Sequence, residues 1–180
     1  MNKFQLRKKI SKIRSKFAKK KITVNSGAII KLIEQKSPNK RIGLYYPFGD
    51  ELSTLDLMDR LTKKNFIISL PIIKNKFEMF FYSWNPNEPL TINRFGILEP
   101  LKGKKIIPST LIIPMLAFDS NLNRLGYGGG FYDRFIKKIE RQTICIKIGL
   151  ALSYQKINRV PVDKHDKKMD FIITEKRIYK

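Results

Sequence analysis

Apolar residues along the chain change their period near residue 41. Before that point Phe4, Ile10, Ile13 and Phe17 fall on mixed three- and four-residue helical spacings among lysines and arginines, which predicts an amphipathic helix over residues 2–20. A second helix is expected from Ser26, serving as N-cap, to about residue 35, where Ser37-Pro38-Asn39 breaks it. Short apolar runs follow. Residues 42–46, closed by Pro47 and Gly49, read as a buried strand, and Ser53 or Thr54 can cap a helix through residue 61. Strands are expected at 66–73, 79–84, 111–118, 143–150 and 171–174, with a loop at 86–89 and a helix at 131–139. Pro114 inside the fourth of these runs argues for an edge strand or a local irregularity. Apolar strands alternating with helices of about ten residues predict an α/β fold: a three-layer α/β/α sandwich around a mainly parallel sheet, in one domain over residues 1–180. In such sheets ligands gather beyond the carboxyl ends of the strands.

Composition narrows the class only a little. No apolar run approaches the roughly 20 residues that span a bilayer. The basic opening stretch lacks the apolar core of a signal peptide. The single cysteine, Cys145, excludes an internal disulfide, so a cytoplasmic protein is expected. Its apolar neighbours make it a small buried hydrophobe rather than a nucleophile. With Lys+Arg 37 against Asp+Glu 15 the net charge is +22, which suits an anionic substrate, a membrane surface or nucleic acid. The cations are spread along the whole chain without a zinc-finger, basic-zipper or RNA-recognition pattern, so a nucleic-acid role is not the first expectation.

The chemistry concentrates between residues 118 and 134. Gly126 and Gly128 to Gly130 place four glycines in five positions between a buried strand and a helix. Glycines permit positive φ and close backbone approach, and the following helix offers unpaired amides at its electropositive end. Arg124 before the loop can grip an anion as a forked donor, and Asp133 after it can hold magnesium against phosphate oxygens. The loop fits neither the Walker pattern nor the dinucleotide fingerprint, and on physical grounds alone it is as well read as a tight turn.

Arg124-Leu125-Gly126-Tyr127-Gly128-Gly129-Gly130-Phe131-Tyr132-Asp133, after a strand ending in Phe118-Asp119, resembles the signature of the 5-formyltetrahydrofolate cyclo-ligase family. Lys3-Phe4-Gln5-Leu6-Arg7 is similar to that family's N-terminal Lys-x-x-Leu-Arg, and residues 46–54 to its folate-side loop. Phe95-Gly96-Ile97-Leu98-Glu99-Pro100 resembles its Gly-Ile-x-Glu-Pro, and Val160 to Asp166 with Asp170 and Thr174-Glu175 resembles its ending. The loop departs from the resemblance at Gly129, where some members of the family carry a lysine.

The resemblance implies ATP-dependent conversion of 5-formyltetrahydrofolate to 5,10-methenyltetrahydrofolate, with ATP as co-substrate and Mg2+ as cofactor. It implies the three-layer scaffold shared with sugar-phosphate isomerases and CoA transferases. ATP is expected on Lys3, Arg7, Arg124, Leu125, Gly126, Tyr127, Gly128, Gly129, Gly130, Phe131 and Tyr132, and the metal on Asp133 and Asp166. Folate is expected on Tyr46, Glu51, Trp84, Tyr127 and Phe131, with Glu51 and Arg124 catalytic. Trp84 and Phe48 are aromatics that a core would equally use, and His165 is a weaker site residue than its neighbour Asp166. The expected partners are small molecules alone, a polyglutamylated folate and ATP, met by a monomer. Two other readings stand beside this one: a different phosphate-ligand enzyme on the same scaffold, and a basic nucleic-acid-binding module.

Overall fold

The computed structural model describes residues 2–18 and 22–180. In chain order the elements are α1 (Lys3–Ala18), α2 (Ser26–Lys36), β1 (Arg41–Gly43), α3 (Leu55–Lys63), β2 (Ile67–Ile73), β3 (Met79–Ser83), β4 (Leu90–Ile92), β5 (Leu98–Pro100), β6 (Lys105–Ile106), β7 (Thr110–Pro114), β8 (Ala117–Phe118), β9 (Arg124–Leu125), α4 (Phe131–Ile139), β10 (Ile146–Leu150), a single 3-10 turn, β11 (Phe171–Ile173) and β12 (Ile178–Tyr179). Eight strands form one sheet in the order β12-β11-β10-β7-β1-β2-β3-β6. Its centre, from β11 to β2, is parallel, while β12, β3 and β6 join antiparallel at the edges.

Alternation along the central strands sets the layers. Ile112, Ile148 and Leu150 face a core with Ile29 and Ile33 of α2 and Leu57, Met58 and Leu61 of α3. Leu111 and Ile113, one position out of phase, face Phe135, Ile136 and Ile139 of α4. The expected three-layer sandwich is therefore present. Gly43 of β1 is part of this fit: a Cβ there would meet Leu111, Phe81 and Pro108 side chains at 2.7 to 2.9 Å. Among the described residues, no helix is long and apolar enough to cross a membrane.

Several elements differ from the pattern-based reading, each for a physical reason. Residues 19 and 20, expected to close the first helix, lie outside the described residues. The stripe of α1 is Leu6, Ile10, Ile13 and Phe17, with Leu6 and Ile10 buried against Leu116, Ala117, Leu125 and Val160. Phe4 stands 73% exposed, because at 100° per residue it lies about 160° around the helix from Leu6. Asn25 rather than Ser26 caps α2, accepting from the Ala28 N–H at 3.2 Å. Thr54 precedes α3, but its hydroxyl donates to the Tyr45 carbonyl instead of capping the helix. Pro114 ends β7, the buried central strand, so it marks an irregularity and not an edge. The chain leaves the sheet there, and Ala117–Phe118 pairs antiparallel with Arg124–Leu125 in a separate two-stranded ladder.

Candidate active site

Loops leaving the carboxyl ends of β1, β7 and β10 meet α1 over the sheet and enclose three adjoining cavities. The smallest, about 270 Å3, is polar and lies between α1 and the glycine loop. Arg7 donates from Nε to the Gly126 carbonyl at 2.8 Å, which fastens the helix to the loop. Gly128 at φ 108° and Gly130 at φ 65° take left-handed conformations, and Gly130 stands at the N-cap of α4. Arg124 is only 6% exposed in its side chain and donates from Nη2 to Asp133 Oδ1 at 2.7 Å. Its Nε is buried and has no partner among the described residues. An unpaired guanidinium N–H in this position is a donor awaiting an anion.

Carboxylates close the other side of that cleft. Lys3 bridges Asp163 at 2.6 Å and Asp166 at 2.5 Å. Burial opposes its charge, but the two carboxylates prevail and hold the ammonium above its usual range. Asp133 accepts on Oδ1 from Arg124 and from the Lys167 N–H, and Asp166 accepts on Oδ2 from Lys3 and the Asp163 N–H. Each keeps its other oxygen for a ligand. Among the described residues, no three Asp, Glu, His or Cys side chains converge as a dedicated metal cage. Two carboxylates beside a phosphate-sized cleft nevertheless suit magnesium, which completes its shell with water and phosphate oxygens.

The second cavity, about 370 Å3, is mainly apolar. Tyr46, Phe48, Met79, Phe95, Phe131 and Tyr132 line it, with Glu51 and Arg124 at its polar end. The β4–β5 hairpin forms one wall: Asn93 Oδ1 accepts from Phe95 and Ile97 N–H groups, and Glu99 accepts from Asn93 Nδ2 at 3.0 Å. The third cavity, about 430 Å3, shares Glu51, Tyr45 and Tyr127 with the second and is bounded by Arg14, Phe17 and Tyr154. Phe17 stacks on Tyr154 with centroids 4.1 Å apart. Between these two cavities Glu51 accepts from the Phe48 N–H at 3.0 Å and bonds the Tyr127 hydroxyl, which also accepts from Arg14. Burial pushes the Glu51 carboxyl up, and the Tyr127 and Phe48 hydrogen bonds with the Arg14 charge offset only part of that. Burial likewise raises the Tyr127 and Tyr132 hydroxyls, so both stay protonated donors.

The residues expected from sequence thus fall into two groups around Arg124. Lys3, Arg7, Leu125, Gly126, Gly128, Gly130, Asp133 and Asp166 line the polar cleft, and Tyr46, Glu51, Tyr127, Gly129, Phe131 and Tyr132 the apolar pocket. Leu125 is 1% exposed and packs beneath α1, so only its backbone is free to serve a ligand. Trp84 lies behind Tyr46, edge to face at 6.2 Å, and lines a separate cleft rather than the pocket. His165 is exposed, and Cys145 is buried with its thiol pushed up to about 12. Sequence reasoning missed Arg14 and Asp163. On a helical wheel Lys3, Arg7 and Arg14 lie within about 40° of one another, beside the apolar stripe, and that shared edge was the available signal.

Asp119 holds the frame. Its buried carboxylate accepts from the Asn121, Asn123 and Val160 N–H groups and from Asn123 Nδ2, which ties the turn before Arg124 to the segment carrying Asp163 and Asp166. Burial alone would raise this carboxyl, but the donors outweigh it and hold it below its usual range. Asp119→Asn is expected to cost about 2–3 kcal/mol and lower the melting temperature by roughly 5–10 °C at neutral pH. Because the folded value is depressed, the wild-type advantage is present above about pH 4 and shrinks as pH falls through the folded value. Thermal melts of both proteins between pH 3 and 7 test this, and an equal melting temperature at neutral pH would refute it.

A family model for the 5-formyltetrahydrofolate cyclo-ligase family matches residues 1–175. A 5-formyltetrahydrofolate cyclo-ligase of Haemophilus influenzae is 34% identical over 176 residues, covering 90% of this chain and 91% of that one. The solution structure of a 5,10-methenyltetrahydrofolate synthetase from Aquifex aeolicus superposes with a TM-score of 0.69 at 29% identity, covering 94% and 91% of the two chains. A 5,10-methenyltetrahydrofolate synthetase from Mycoplasma pneumoniae gives a TM-score of 0.73 at 25% identity, covering 97% and 99%.

Proposed function

The chain belongs to the 5-formyltetrahydrofolate cyclo-ligase family, and from that premise we propose that it converts 5-formyltetrahydrofolate to 5,10-methenyltetrahydrofolate at the expense of ATP. The observation that carries the residue-level reading is Arg124: it lines both the polar cleft and the apolar pocket, and its Nε donor is unpartnered. The triphosphate occupies the cleft on the glycine loop, and the pterin and formyl group enter the pocket toward Glu51. Asp133 and Asp166 are the residues that would hold magnesium, which when bound neutralises phosphate charge. The enzyme acts as a cytoplasmic monomer on small molecules.

The chemistry follows from what each group can offer. A formyl oxygen attacks the γ-phosphorus and ADP departs, leaving a carbon–oxygen–phosphorus link and positive charge on N5. N10 then adds to that carbon and loses its proton. Phosphate leaves with its bonding pair, and the methenyl cation remains. Phosphoryl transfer asks the protein for alignment and charge balance. Arg124 supplies positive charge where the phosphoryl group passes, and the Glu51 carboxylate supplies negative charge where N5 becomes cationic. Tyr127, held by Arg14, keeps Glu51 in place.

The test is to mix the protein with 5-formyltetrahydrofolate, magnesium and ATP and follow the near-ultraviolet band of the methenyl product. Growth of the band is expected only with ATP, and Asp133→Asn should raise the magnesium needed for half-maximal rate by at least about tenfold. A folded protein that binds ATP but forms no product would refute the folate assignment.

A further inference from the structure

Arg7 and Arg14 stand two turns apart on one edge of α1, about 10 Å along its axis and within about 20° around it. Both hold Tyr127, at opposite ends. Arg7 donates to the carbonyl of Gly126, the residue before it, and lies against Gly128, the residue after it, where an added Cβ would come 3.4 Å from the guanidinium carbon. Arg14 takes the far end. Its Nη1 donates to the Tyr127 hydroxyl, and its guanidinium carbon sits 5.3 Å from the ring centroid. A phenol fixed at backbone, ring and hydroxyl by one helix has little freedom left to turn.

Donor and acceptor roles show what Arg14 does there. The Tyr127 oxygen accepts from Arg14, so its single proton points elsewhere, and Glu51 is the acceptor that it bonds. A cationic donor on the oxygen also polarises the hydroxyl and strengthens the bond it gives. Arg14 reaches Glu51 across that hydroxyl, since among the described residues no carboxylate lies within ion-pair distance of Arg14. Its Nε is buried and has no partner among the described residues. A guanidinium kept for stability pairs its buried donors with protein acceptors, and this bare one costs stability instead.

We infer that Arg14 is a positioning residue for the ring-closing reaction, one that fixes the direction of the Tyr127 proton and with it the charge and aim of Glu51; the inference rests on the cyclo-ligase reading. It joins the two ends of the site, because the helix that grips the glycine loop through Arg7 also sets Glu51 through Arg14. The remaining charged or titratable groups in the two cavities that Glu51 borders are Tyr45, Tyr46, Asp50, Arg124, Tyr132, Asp133 and Tyr154. Arg124 and Asp133 pair with each other, and burial keeps Tyr45, Tyr132 and Tyr154 protonated. The Tyr127 bond and the Arg14 charge both favour the Glu51 carboxylate, so removing Arg14 raises the pH below which Glu51 takes up a proton.

A double-mutant cycle on the full chain, read by steady-state rates with 5-formyltetrahydrofolate and ATP, tests the inference. Arg14→Gln should lower kcat about ten- to a hundredfold and shift the acid limb of kcat/KM to higher pH. The KM for ATP should stay within about twofold, because Arg14 does not border the phosphate cleft. Tyr127→Phe, which removes the proton that Arg14 directs, should cost as much. Adding Arg14→Gln to it should change the rate by less than about twofold, where independent residues would multiply their losses. Arg14→Lys keeps a charged donor and should restore most of kcat. With the wild type active, multiplied losses in the double variant, or an Arg14→Gln protein whose kcat and acid limb match the wild type, overturn the inference and leave the cyclo-ligase reading intact. A fall in kcat that only follows a loss of folded protein in thermal melts, with the acid limb unmoved, overturns it as well. A wild type that turns over no folate overturns both.

Discussion

Replacing Arg124 by alanine is expected to lower kcat/KM about a thousandfold, in keeping with what an arginine contributes to a phosphoryl-transfer transition state. The guanidinium is 6% exposed, one of its nitrogens is fixed on Asp133 at 2.7 Å, and another is buried without a partner. It also lies 5.8 Å from the Tyr132 ring centroid, so its plane is set by packing before any ligand arrives. An anion therefore meets a donor whose position needs no further ordering. Truncation also leaves Asp133 without its cation, which costs stability by roughly 1–3 kcal/mol given that carboxylate's partial exposure. Arg124→Lys separates the two effects. It keeps a charge opposite Asp133 but loses the planar fork, so the fold should survive while kcat/KM still falls about a hundredfold. Steady-state kinetics beside thermal melts decide it. Full activity in Arg124→Lys would mean that Arg124 only braces Asp133.

The glycine loop and α4 were legible because their signals are local: four clustered glycines, a helical period over residues 131–139 and a charged residue on either side. The pocket behind them was less so. Its hairpin, Leu90–Ile92 with Leu98–Pro100, has strands of three residues with partly exposed faces, too short for alternation to register. Gly96 at φ 78° marks its turn, but a lone glycine in a polar stretch is a weak sign. Arg14 was hidden by numbers, one among 37 cations, and only its docking beside Tyr127 distinguishes it. Asp163 became visible only when Lys3, 160 positions away, was placed against it. Pro114 in the sequence allows either an edge strand or a local irregularity, and only the burial of its strand at the centre of the sheet selects the second. In the fold it releases the chain from the central strand toward the Arg124 ladder.

One helix joins these parts. The apolar side of α1 packs on Leu116, Ala117, Leu125 and Val160, and its neighbouring edge delivers Lys3, Arg7 and Arg14 to three successive points of the site. Burying Leu6 and Ile10 thus positions three cations at once, with Arg7 set directly against the glycine loop.

Glu51→Gln should separate activity from stability in the opposite sense to Arg124→Ala. The carboxylate is half buried between two cavities, and its hydrogen bonds from Tyr127 and Phe48 do not fully offset the loss of water. Its folded value therefore lies above the unfolded one. Below the unfolded value the group is protonated in both states and costs nothing; as pH rises through the folded value, keeping the charge inside costs stability. Glutamine removes that cost, so the variant should melt at or above the wild-type temperature at pH 7, and the difference should vanish near pH 4. Activity should move the other way. With no negative charge to offset the developing N5 cation, kcat/KM is expected to fall about a hundred- to a thousandfold, as when one preorganised electrostatic partner is lost. The wild-type rate should also decline toward acid through a value above the ordinary carboxyl range, a limb that Glu51→Gln lacks. Retention of that limb in the variant would place the titration on another group, and retention of full activity would leave Glu51 as a loop-bracing residue that accepts from Phe48.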